Sequence, residues 1–349
     1  MSYPHITTVI PTYRRPELLC RAIQSVLAQS YPHLQVAVFD NASGDETAAR
    51  VEEIRRRDPR VRYHCQPRNL GPARNFQAGL ESVTTPYFAF LSDDDLVFPW
   101  FYEHAMRHLS GEPRARFFCG RSVRYEPDTG LHEVRPQHGW EKGFYESGEA
   151  VELMISSMFP WTGAVFAAEV REKAGPLEDV EIADFLFLVK AAACFPFVIS
   201  PAPCGVRVYW SESALRNVSA AEVIRSFAVS GDRLSRLREI SAPQRDRLAL
   251  VLGEKLARIL GSRLRAYFLA GDWESVELAA GVLSKHRAMT PGKRLRSWLV
   301  RHRRGAAIPL AATRALFRLQ AALRTRRRLA GTRLDLDQVV RRYGAPPPP

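Results

Sequence analysis

Short apolar segments alternate with amphipathic ones at the beginning of the chain. Residues 7–11 and 34–39 are rich in β-branched and other apolar residues, which favours strands. Between them, residues 16–29 place apolar side chains three and four positions apart, which predicts a helix with one buried face. The order of strand, helix and strand predicts the first βαβ unit of a largely parallel sheet.

The alternation continues toward residue 91. It predicts two further helices and two further strands, at residues 45–57, 71–83, 61–64 and 87–91. Asp40 directly follows the second strand, and the acidic run Asp93 to Asp95 follows the strand at 87–91. Ligands of open α/β sheets bind beyond the carboxyl ends of the strands, so both acidic sites are expected at the binding edge.

The pattern becomes less regular from about residue 117. Strand-like and helical segments are predicted at residues 117–125, 148–157, 161–169, 184–193 and 197–199. After residue 213 the chain has long, Arg-rich helical patterns without clear strands. We therefore predict an α/β domain over residues 1–213, a basic helical region over 214–343 and a disordered tail over 344–349.

The charge is divided unevenly between the two regions. The chain has a net charge of +13, but residues 215–349 contain 28 Lys and Arg against 10 Asp and Glu, so the preceding residues are net acidic. Such asymmetry indicates that residues 215–349 bind an anionic partner, while the preceding residues have a separate function. A solvated helical face with no special role is the alternative.

The cysteines and the apolar runs indicate in which cellular compartment the protein is expected. Five cysteines without a CxxC pair indicate neither a disulfide framework nor a structural zinc site. The first residues lack the pattern of a signal peptide, and no uncharged apolar run approaches the roughly 20 residues that a membrane span needs. We expect a cytoplasmic protein, with peripheral attachment to the inner face of the plasma membrane as an option.

Four short motifs follow the predicted strands in order. They are Pro11-Thr12-Tyr13-Arg14, the turn from Asp40 to Asp45, Asn69-Leu70-Gly71 with the nearby Arg74 and Asn75, and Leu91-Ser92-Asp93-Asp94-Asp95. Together they resemble family 2 glycosyltransferases with the GT-A fold, and the resemblance covers about residues 5–210. It implies a Rossmann-like catalytic domain, with a mostly parallel central sheet flanked by helices, followed by the α-helical C-terminal region.

The resemblance also implies an activity and a donor site. The activity is the transfer of a single sugar, with inversion, from a UDP-, dTDP- or GDP-sugar to a hydroxyl of a glycan or lipid-linked acceptor in cell-surface polysaccharide biosynthesis. Residues expected to bind the donor nucleotide are Pro11, Thr12, Tyr13, Arg14, Asp40, Asn69, Gly71, Arg74 and Asp93.

The acidic run is the candidate metal site. A diphosphate leaving group gains negative charge as the sugar bond breaks, and Mg²⁺ or Mn²⁺ stabilises that charge as a Lewis acid held by carboxylates. Asp94 is the first choice of ligand, and either Asp93 or Asp95 is its partner. Ser92 stands where the commonest family pattern has an acid, which leaves that choice open. A solvated loop or helix cap is the structural alternative.

A general base is needed to deprotonate the acceptor hydroxyl. In the family it lies at the start of a helix, 80 to 100 residues past the acidic cluster, and Asp184 lies 90 positions after Asp94. Asp184 is therefore the proposed base, with Glu181 as the substitute. A helix N-cap is the alternative role of Asp184.

The acceptor side is expected at Trp161, Thr162 and Gly163, together with Glu181. Trp161-Thr162-Gly163-Ala164 resembles the family's acceptor-side strand, although a core tryptophan is equally consistent with the pattern. Relatives often place a diphosphate-binding His shortly after the base helix. Residues 209–213 occupy that place without a His.

Two C-terminal segments mix apolar residues at helical spacing with dense arginine, at 294–304 and 316–329. Such helices bind anionic membrane surfaces, which would suit a lipid-linked acceptor. Contact with a second copy of the chain and a plain solvated face are the alternatives. A non-catalytic protein that binds nucleic acid or another anionic polymer on a degenerate fold is the competing function, but the intact acidic run argues against it, and no nucleic acid partner is expected.

Overall fold

The computed structural model describes residues 4–134, 139–210, 218–286, 288–301 and 334–346. The chain forms two compact units. The first comprises Met1–Trp210 together with Leu334–Pro349, and the second comprises Ser211–Arg333.

The first half of unit one is built from parallel strands. Its elements are β1 (Ile6–Thr12), α1 (Pro16–Leu27), β2 (Leu34–Asp40), α2 (Thr47–Arg57), β3 (Val61–Cys65), α3 (Pro72–Glu81) and β4 (Tyr87–Phe90). The strands lie in the order β3, β2, β1, β4, and every neighbouring pair is parallel. The predicted βαβ alternation is therefore present, and Thr12 at the end of β1 is in register with Asp40 at the end of β2.

The second half of unit one continues the sheet with mixed strand directions. Its elements are β5 (Leu96–Val97), α4 (Phe101–Gly111), β6 (Phe117–Glu126), β7 (Leu131–Val134), β8 (Phe144–Tyr145), α5 (Val151–Ser157), β9 (Ala164–Ala167), α6 (Val170–Ala174), α7 (Ala183–Cys194) and β10 (Phe197–Val208). β9 runs antiparallel between β4 and β6, and β10 is parallel to β6. The sheet is thus parallel in its first half and mixed in its second.

β10 is much longer than the strand predicted at residues 197–199. Pro201 and Pro203 break the apolar pattern, and the pairing with β6 shifts register on both sides of Pro203. Because the strand resumes after these irregularities, Arg207 and Val208 still belong to the sheet. This continuation brings the end of β10 beside the acidic run.

Two kinds of helix cover the sheet. α1 is amphipathic and buries Leu19, Ile23 and Val26, as its spacing predicts. α7 is buried on all sides from Phe185 to Cys194, which explains its nearly continuous apolar sequence. Lys190 is the charged member of that stretch, and its ammonium group donates to the carbonyl oxygen of Pro176 at 2.9 Å.

The C-terminal segment corrects the predicted division of the chain. α12 (Leu336–Tyr343) belongs to unit one and buries Leu336 and Val339 in its core. The indole N–H of Trp100 donates to the carbonyl oxygen of Gly344 at 2.9 Å. The basic helical region therefore ends before residue 334, and the predicted disordered tail begins with a residue that is hydrogen-bonded to unit one. A short amphipathic helix does not reveal from its sequence which surface will bury it.

Unit two is helical, as predicted. Its described helices are α8 (Ala220–Ser235), α9 (Ala242–Ala270), α10 (Trp273–Lys285) and α11 (Pro291–Arg301). α8 and α9 begin with capping boxes at Ser219 and Ser241, and α9 packs against both α8 and α10. The segment predicted at 316–329 lies outside the described residues. Among the helices that are described, none combines the length and the apolar character required to span a bilayer.

Candidate active site

The carboxyl ends of β1, β2 and β4 gather polar residues at one edge of the sheet. The Thr12 hydroxyl donates to Asp93 Oδ2 at 2.8 Å, which joins the end of β1 to the acidic run. The amide of Asn41 donates to the carbonyl oxygen of Thr12 at 2.9 Å, which joins β1 to the turn after β2. Segments that are up to 81 positions apart thus converge, as expected where parallel strands end together.

Arg15 connects two members of the acidic run. Its Nη1 lies 3.3 Å from Asp93 Oδ1 and 3.1 Å from Asp94 Oδ2. The motif at the end of β1 predicts a donor-binding role for the neighbouring Arg14 and none for Arg15. The available signal was the position of Arg15 at the N-cap of α1, immediately after β1, because residues there lie at the carboxyl edge of the sheet.

Arg14 turns toward the second motif instead. Its backbone has a φ of 55°, and its amide donates to Ser43 Oγ at 2.8 Å. Its Nε donates to the carbonyl oxygen of Ser43 at 3.1 Å. Tyr13 is 38% exposed next to the Arg14 guanidinium, whereas Pro11 is buried within β1. Of these three residues, Tyr13 and Arg14 can be reached by a ligand.

Asp40 is buried and bonded to the protein through both carboxylate oxygens. Oδ1 accepts the amide and the hydroxyl of Ser43, and Oδ2 accepts the hydroxyl of Tyr63. The carboxylate therefore shapes the turn that follows β2. Its expected contact with the nucleotide is a prediction that these bonds leave untested.

The third motif is tied to the second by side-chain amides. Asn41 Nδ2 donates to Asn69 Oδ1 at 2.9 Å, and Asn41 Oδ1 accepts the amide of Leu70 at 2.7 Å. Gly71 has a φ of 83°, a conformation that glycine adopts without a steric penalty, and it precedes α3. Arg74 is exposed on the first turn of α3 and has no hydrogen bond or ion pair with another described residue. It is therefore available to an anionic or aromatic ligand.

The three carboxylates of the acidic run have different surroundings. Burial and the Asp94 carboxylate raise the pKa of Asp93 to about 6, against the opposing effects of Arg15 and Thr12. Burial also raises the pKa of Asp94, which Arg15 opposes. Asp95 is the most enclosed of the three, and burial and the Asp94 carboxylate raise its pKa to about 7.

Asp95 is held by the second half of the sheet. Its Oδ2 accepts the hydroxyl of Thr162, and its Oδ1 accepts the amide of Val208 at 2.9 Å. With both oxygens bonded and 3% of the residue exposed, Asp95 is not placed to bind a metal ion. This corrects its assignment as a metal ligand, because the turn directs its side chain into the sheet.

Asp93 and Asp94 form a small donor set for a divalent cation. Their side chains are 9% and 15% exposed, and both face Arg15. No group of three or more metal-ligating side chains occurs in the described ranges. Mg²⁺ in nucleotide enzymes is commonly held by one or two carboxylates, with substrate phosphates and water as the other ligands. The residues present therefore fit a metal that arrives with a diphosphate.

Asp184 lies on the first turn of α7 and faces an arginine of β10. The N-cap of α7 is Ile182, so Asp184 is not the N-cap residue that was considered as the alternative. Its Oδ1 accepts the amide of Phe185 at 2.8 Å, and its Oδ2 lies 3.8 Å from Arg207 Nη2. The side chain is 23% exposed, so an acceptor hydroxyl can reach it.

The residues expected on the acceptor side separate in the structure. Trp161 is 5% exposed and packs against Phe76 and Phe90, with ring centres 4.5 Å apart in each pair. This is the core position that the sequence allowed as the alternative. Thr162 bonds Asp95, and Gly163 has a φ of 91° beside the backbone of Gly120. Glu181, the substitute base, is exposed just before α7.

Comparison with known proteins shows a family similarity over the first half of the chain and a fold. Residues 7–175 match the model of glycosyl transferase family 2. Over 93 residues the chain is 33% identical to the GalNAc(5)-diNAcBac-PP-undecaprenol beta-1,3-glucosyltransferase of Campylobacter jejuni. The aligned segment covers 26% of this chain and 30% of that protein. Over 96 residues it is 38% identical to the succinoglycan biosynthesis protein ExoO of Rhizobium meliloti, which covers 28% and 27%. The chain thus spans less than a third of either relative.

Solved structures match over most of the chain. TarS 1–349 of S. aureus in complex with UDP-GlcNAc has a TM-score of 0.63 at 16% identity, covering 91% of this chain and 92% of that one. The mannosyltransferase PcManGT of Pyrobaculum calidifontis, in complex with GDP-Man and Mn²⁺, has a TM-score of 0.54 at 18% identity, covering 93% and 87%. The expected GT-A fold is confirmed.

Proposed function

We propose, because residues 7–175 match the model of glycosyl transferase family 2, that this protein transfers a single sugar from a nucleotide-diphosphate sugar to a hydroxyl of a glycan or lipid-linked acceptor. One observation carries the proposal. Carboxylates and arginines from the start of α1, the acidic run, α7 and β10 meet at one edge of the sheet, with Asp94 and Asp184 both partly exposed.

The donor is proposed to bind across the ends of β1, β2 and β4. Thr12 and Asp93 are joined there by a hydrogen bond, and Arg74 is exposed nearby on α3. When bound, Mg²⁺ or Mn²⁺ would be held by Asp94 with Asp93 and would stabilise charge on the diphosphate. Arg15 contacts both carboxylates, so it limits their mutual repulsion before the donor arrives.

Asp184 is proposed to act as the general base. Its carboxylate takes the proton of the acceptor hydroxyl, and the acceptor oxygen forms a bond to the anomeric carbon. The bond between that carbon and the diphosphate breaks, and its electron pair leaves with the diphosphate. Attack from the face opposite the leaving group inverts the configuration. Asp184 supports this role because it is partly exposed at the start of α7.

The named relatives suggest where the products belong. One is an undecaprenol-linked glycan glucosyltransferase and another a succinoglycan biosynthesis protein, and the structural neighbours were solved with UDP-GlcNAc and GDP-Man. These names support a polysaccharide or lipid-linked acceptor and a UDP-, GDP- or dTDP-sugar donor for this chain. They do so by similarity of one domain, so donor screening comes first.

The first test is a thermal-shift screen of UDP, GDP, CDP and dTDP, each with and without Mn²⁺. Saturation to about 100 times Kd stabilises the folded state by about 2.7 kcal/mol, which corresponds to roughly 5 to 10 °C for a unit of this size. One nucleotide should give this shift, and only with the metal. Asp94→Ala should lose it, and the exposed Asp246→Asn should keep it. Absence of any nucleotide response would contradict the proposal.

We further propose that unit two attaches the enzyme to an anionic membrane surface. On α11, Leu295 and Trp298 are 48% and 53% exposed and lie one helical turn apart beside the exposed Arg294. Apolar burial combined with attraction between basic residues and lipid head groups holds such helices at a membrane interface. The strong positive charge of residues 215–349 supports a lipid partner over a neutral one.

Vesicle co-sedimentation tests the attachment. Wild type should bind vesicles that contain phosphatidylglycerol and should not bind phosphatidylcholine alone. The double change Leu295→Ser and Trp298→Ser should weaken binding at least about tenfold, because each buried apolar side chain contributes about 1.5–3 kcal/mol. Leu250→Ser, at a 67% exposed position of α9, is the matched control. Unchanged binding by the double variant would contradict the attachment, and dimers in solution would favour a contact between copies.

A further inference from the structure

Arg207 is a partly buried cation near the end of β10, outside the four sequence motifs. Its Nη2 lies 3.8 Å from Asp184 Oδ2, and its Cζ lies 5.2 Å from the centre of the Tyr209 ring. The side chains of Arg207 and Asp184 are 19% and 23% exposed. The ion pair is therefore shielded from bulk water but open to a ligand.

The same guanidinium also acts on the acidic run. Arg207 interacts electrostatically with Asp94 and Asp95 as well as with Asp184, and the amide of the next residue, Val208, is bonded to Asp95. The proposed base and the proposed metal ligand thus share one cation. During sugar transfer, the acceptor hydroxyl lies at the base and the leaving diphosphate lies at Asp94, so Arg207 is near both reacting groups.

We propose that Arg207 exchanges partners when the donor binds, leaving Asp184 and pairing with the donor diphosphate. The inference rests on the proposed function. The distance of 3.8 Å to Asp184 is longer than a charge-assisted hydrogen bond, so the existing pair is loose. A diphosphate offers several anionic oxygens to the planar guanidinium fork and forms the stronger, bidentate partner.

The exchange links donor binding to the readiness of the base. Without donor, Arg207 pairs loosely with Oδ2 of Asp184 and offsets its charge. With donor bound, the carboxylate of Asp184 is free to accept the proton of an acceptor hydroxyl. Arg207 then balances the charge that builds up on the diphosphate.

Titration calorimetry with the nucleoside diphosphate from the screen, and with its monophosphate, tests the diphosphate contact in the presence of Mn²⁺. Arg207→Gln should weaken binding of the diphosphate about tenfold, which corresponds to about 1.4 kcal/mol, because it removes the charged donor of the contact. Monophosphate affinity should change less than about twofold, and Arg207→Lys should be intermediate because it keeps the charge without the fork.

Arg124 provides a matched control. It is in register with Arg207 on the adjacent strand and lies 4.5 Å from the centre of the same Tyr209 ring, but it pairs with Glu126. Arg124→Gln should therefore leave diphosphate affinity within about twofold of wild type. Thermal unfolding of each variant separates a lost contact from a lost fold. Equal diphosphate affinity in folded Arg207→Gln and wild type would overturn the proposal.

A double-mutant cycle tests the exchange itself. Asp184→Asn removes the competing anion, so diphosphate should bind about threefold more tightly when Arg207 is present. In the Arg207→Gln background, the same change should have no effect. If Asp184→Asn tightens binding equally in both backgrounds, simple repulsion between Asp184 and the diphosphate explains it and the exchange is refuted. Failure of wild type to bind any nucleoside diphosphate would overturn the proposed function as well.

Discussion

Replacement of Asp95 should damage the fold, whereas replacement of the adjacent Asp94 should damage only ligand binding. Asp95 is buried, and its oxygens accept the Thr162 hydroxyl and the Val208 amide. Asp95→Ala leaves both donors buried without an acceptor, at a cost of about 1–3 kcal/mol each. Burial and the Asp94 carboxylate raise the pKa of Asp95 to about 7, so removing the carboxylate also relieves an unfavourable charge. We expect a net loss of about 2–3 kcal/mol.

Asp95→Asn keeps the shape of the side chain and removes its charge. Its amide oxygen can still accept the Val208 N–H, and the Thr162 hydroxyl can rotate to accept from the amide NH₂ group. The free energy of unfolding should therefore fall by no more than about 1 kcal/mol, and removal of the unfavourable charge acts to raise it. Asp94→Ala should behave similarly, because Asp94 is the more exposed residue and its side chain pairs with the partly exposed Arg15.

Thermal denaturation and the nucleotide screen together provide the assay. The melting temperature of a domain of this size changes by about 2–4 °C for each kcal/mol of stability. Asp95→Ala should therefore melt roughly 5 to 10 °C below wild type, and Asp94→Ala within about 3 °C of it. Asp95→Asn should retain metal-dependent nucleotide binding, which Asp94→Ala should lose. A wild-type melting temperature for Asp95→Ala would refute the structural role. A folded Asp95→Asn that no longer binds nucleotide with metal would make Asp95 a ligand after all.

Three further predictions concern stability. Burial lowers the pKa of His104 to about 4 from its usual 6.5, so the folded state binds fewer protons than the unfolded state between these pH values and loses stability as pH falls. From pH 7.5 to 5, wild type should therefore lose about 2 kcal/mol more than His104→Gln in urea unfolding, whereas exposed His64→Gln should track wild type. Val339→Asp should lower the melting temperature of unit one far more than Val339→Ala, because it buries a carboxylate beneath α12. Equal shifts of the melting temperature would contradict the docking of α12. Gly79→Ala would place Cβ 2.3 Å from Val9 Cγ1 and should lower the free energy of unfolding by about 1–3 kcal/mol. The double variant with Val9→Ala should be about 1 kcal/mol more stable than the sum of the two single effects, because it removes the clash. Strict additivity would refute the clash.

The first half of the site was predictable because local patterns determine it. Strand ends could be read from the alternation of apolar segments, and parallel strands bring their carboxyl ends together. Thr12 and Asp93 therefore meet as expected, although they are 81 positions apart. What the pattern could not show was which of two adjacent arginines faces the acidic run, because that depends on the backbone of Arg14, with its φ of 55°.

The second half depended on pairings that leave little local signal. Strands such as β5 have only two residues, and β10 passes two prolines before it reaches Arg207 and Val208. The bond from Val208 to Asp95 joins residues 113 positions apart, so no local window contains both. The docking of α12 is similar, because its amphipathic pattern shows that one face is buried without showing where.

The acidic run is hydrogen-bonded to both halves of the sheet, and these bonds explain why its three adjacent carboxylates have different surroundings. The amide of Asp95 donates to the carbonyl oxygen of Ser92, which forms a turn that sends successive side chains in different directions. Asp93 is bonded to β1 through Thr12, and Asp95 is bonded to β10 through Val208. Asp94, between them, is left facing Arg15 and the site. Its position is therefore fixed by bonds on both sides, which would orient the proposed metal ligand before the metal arrives.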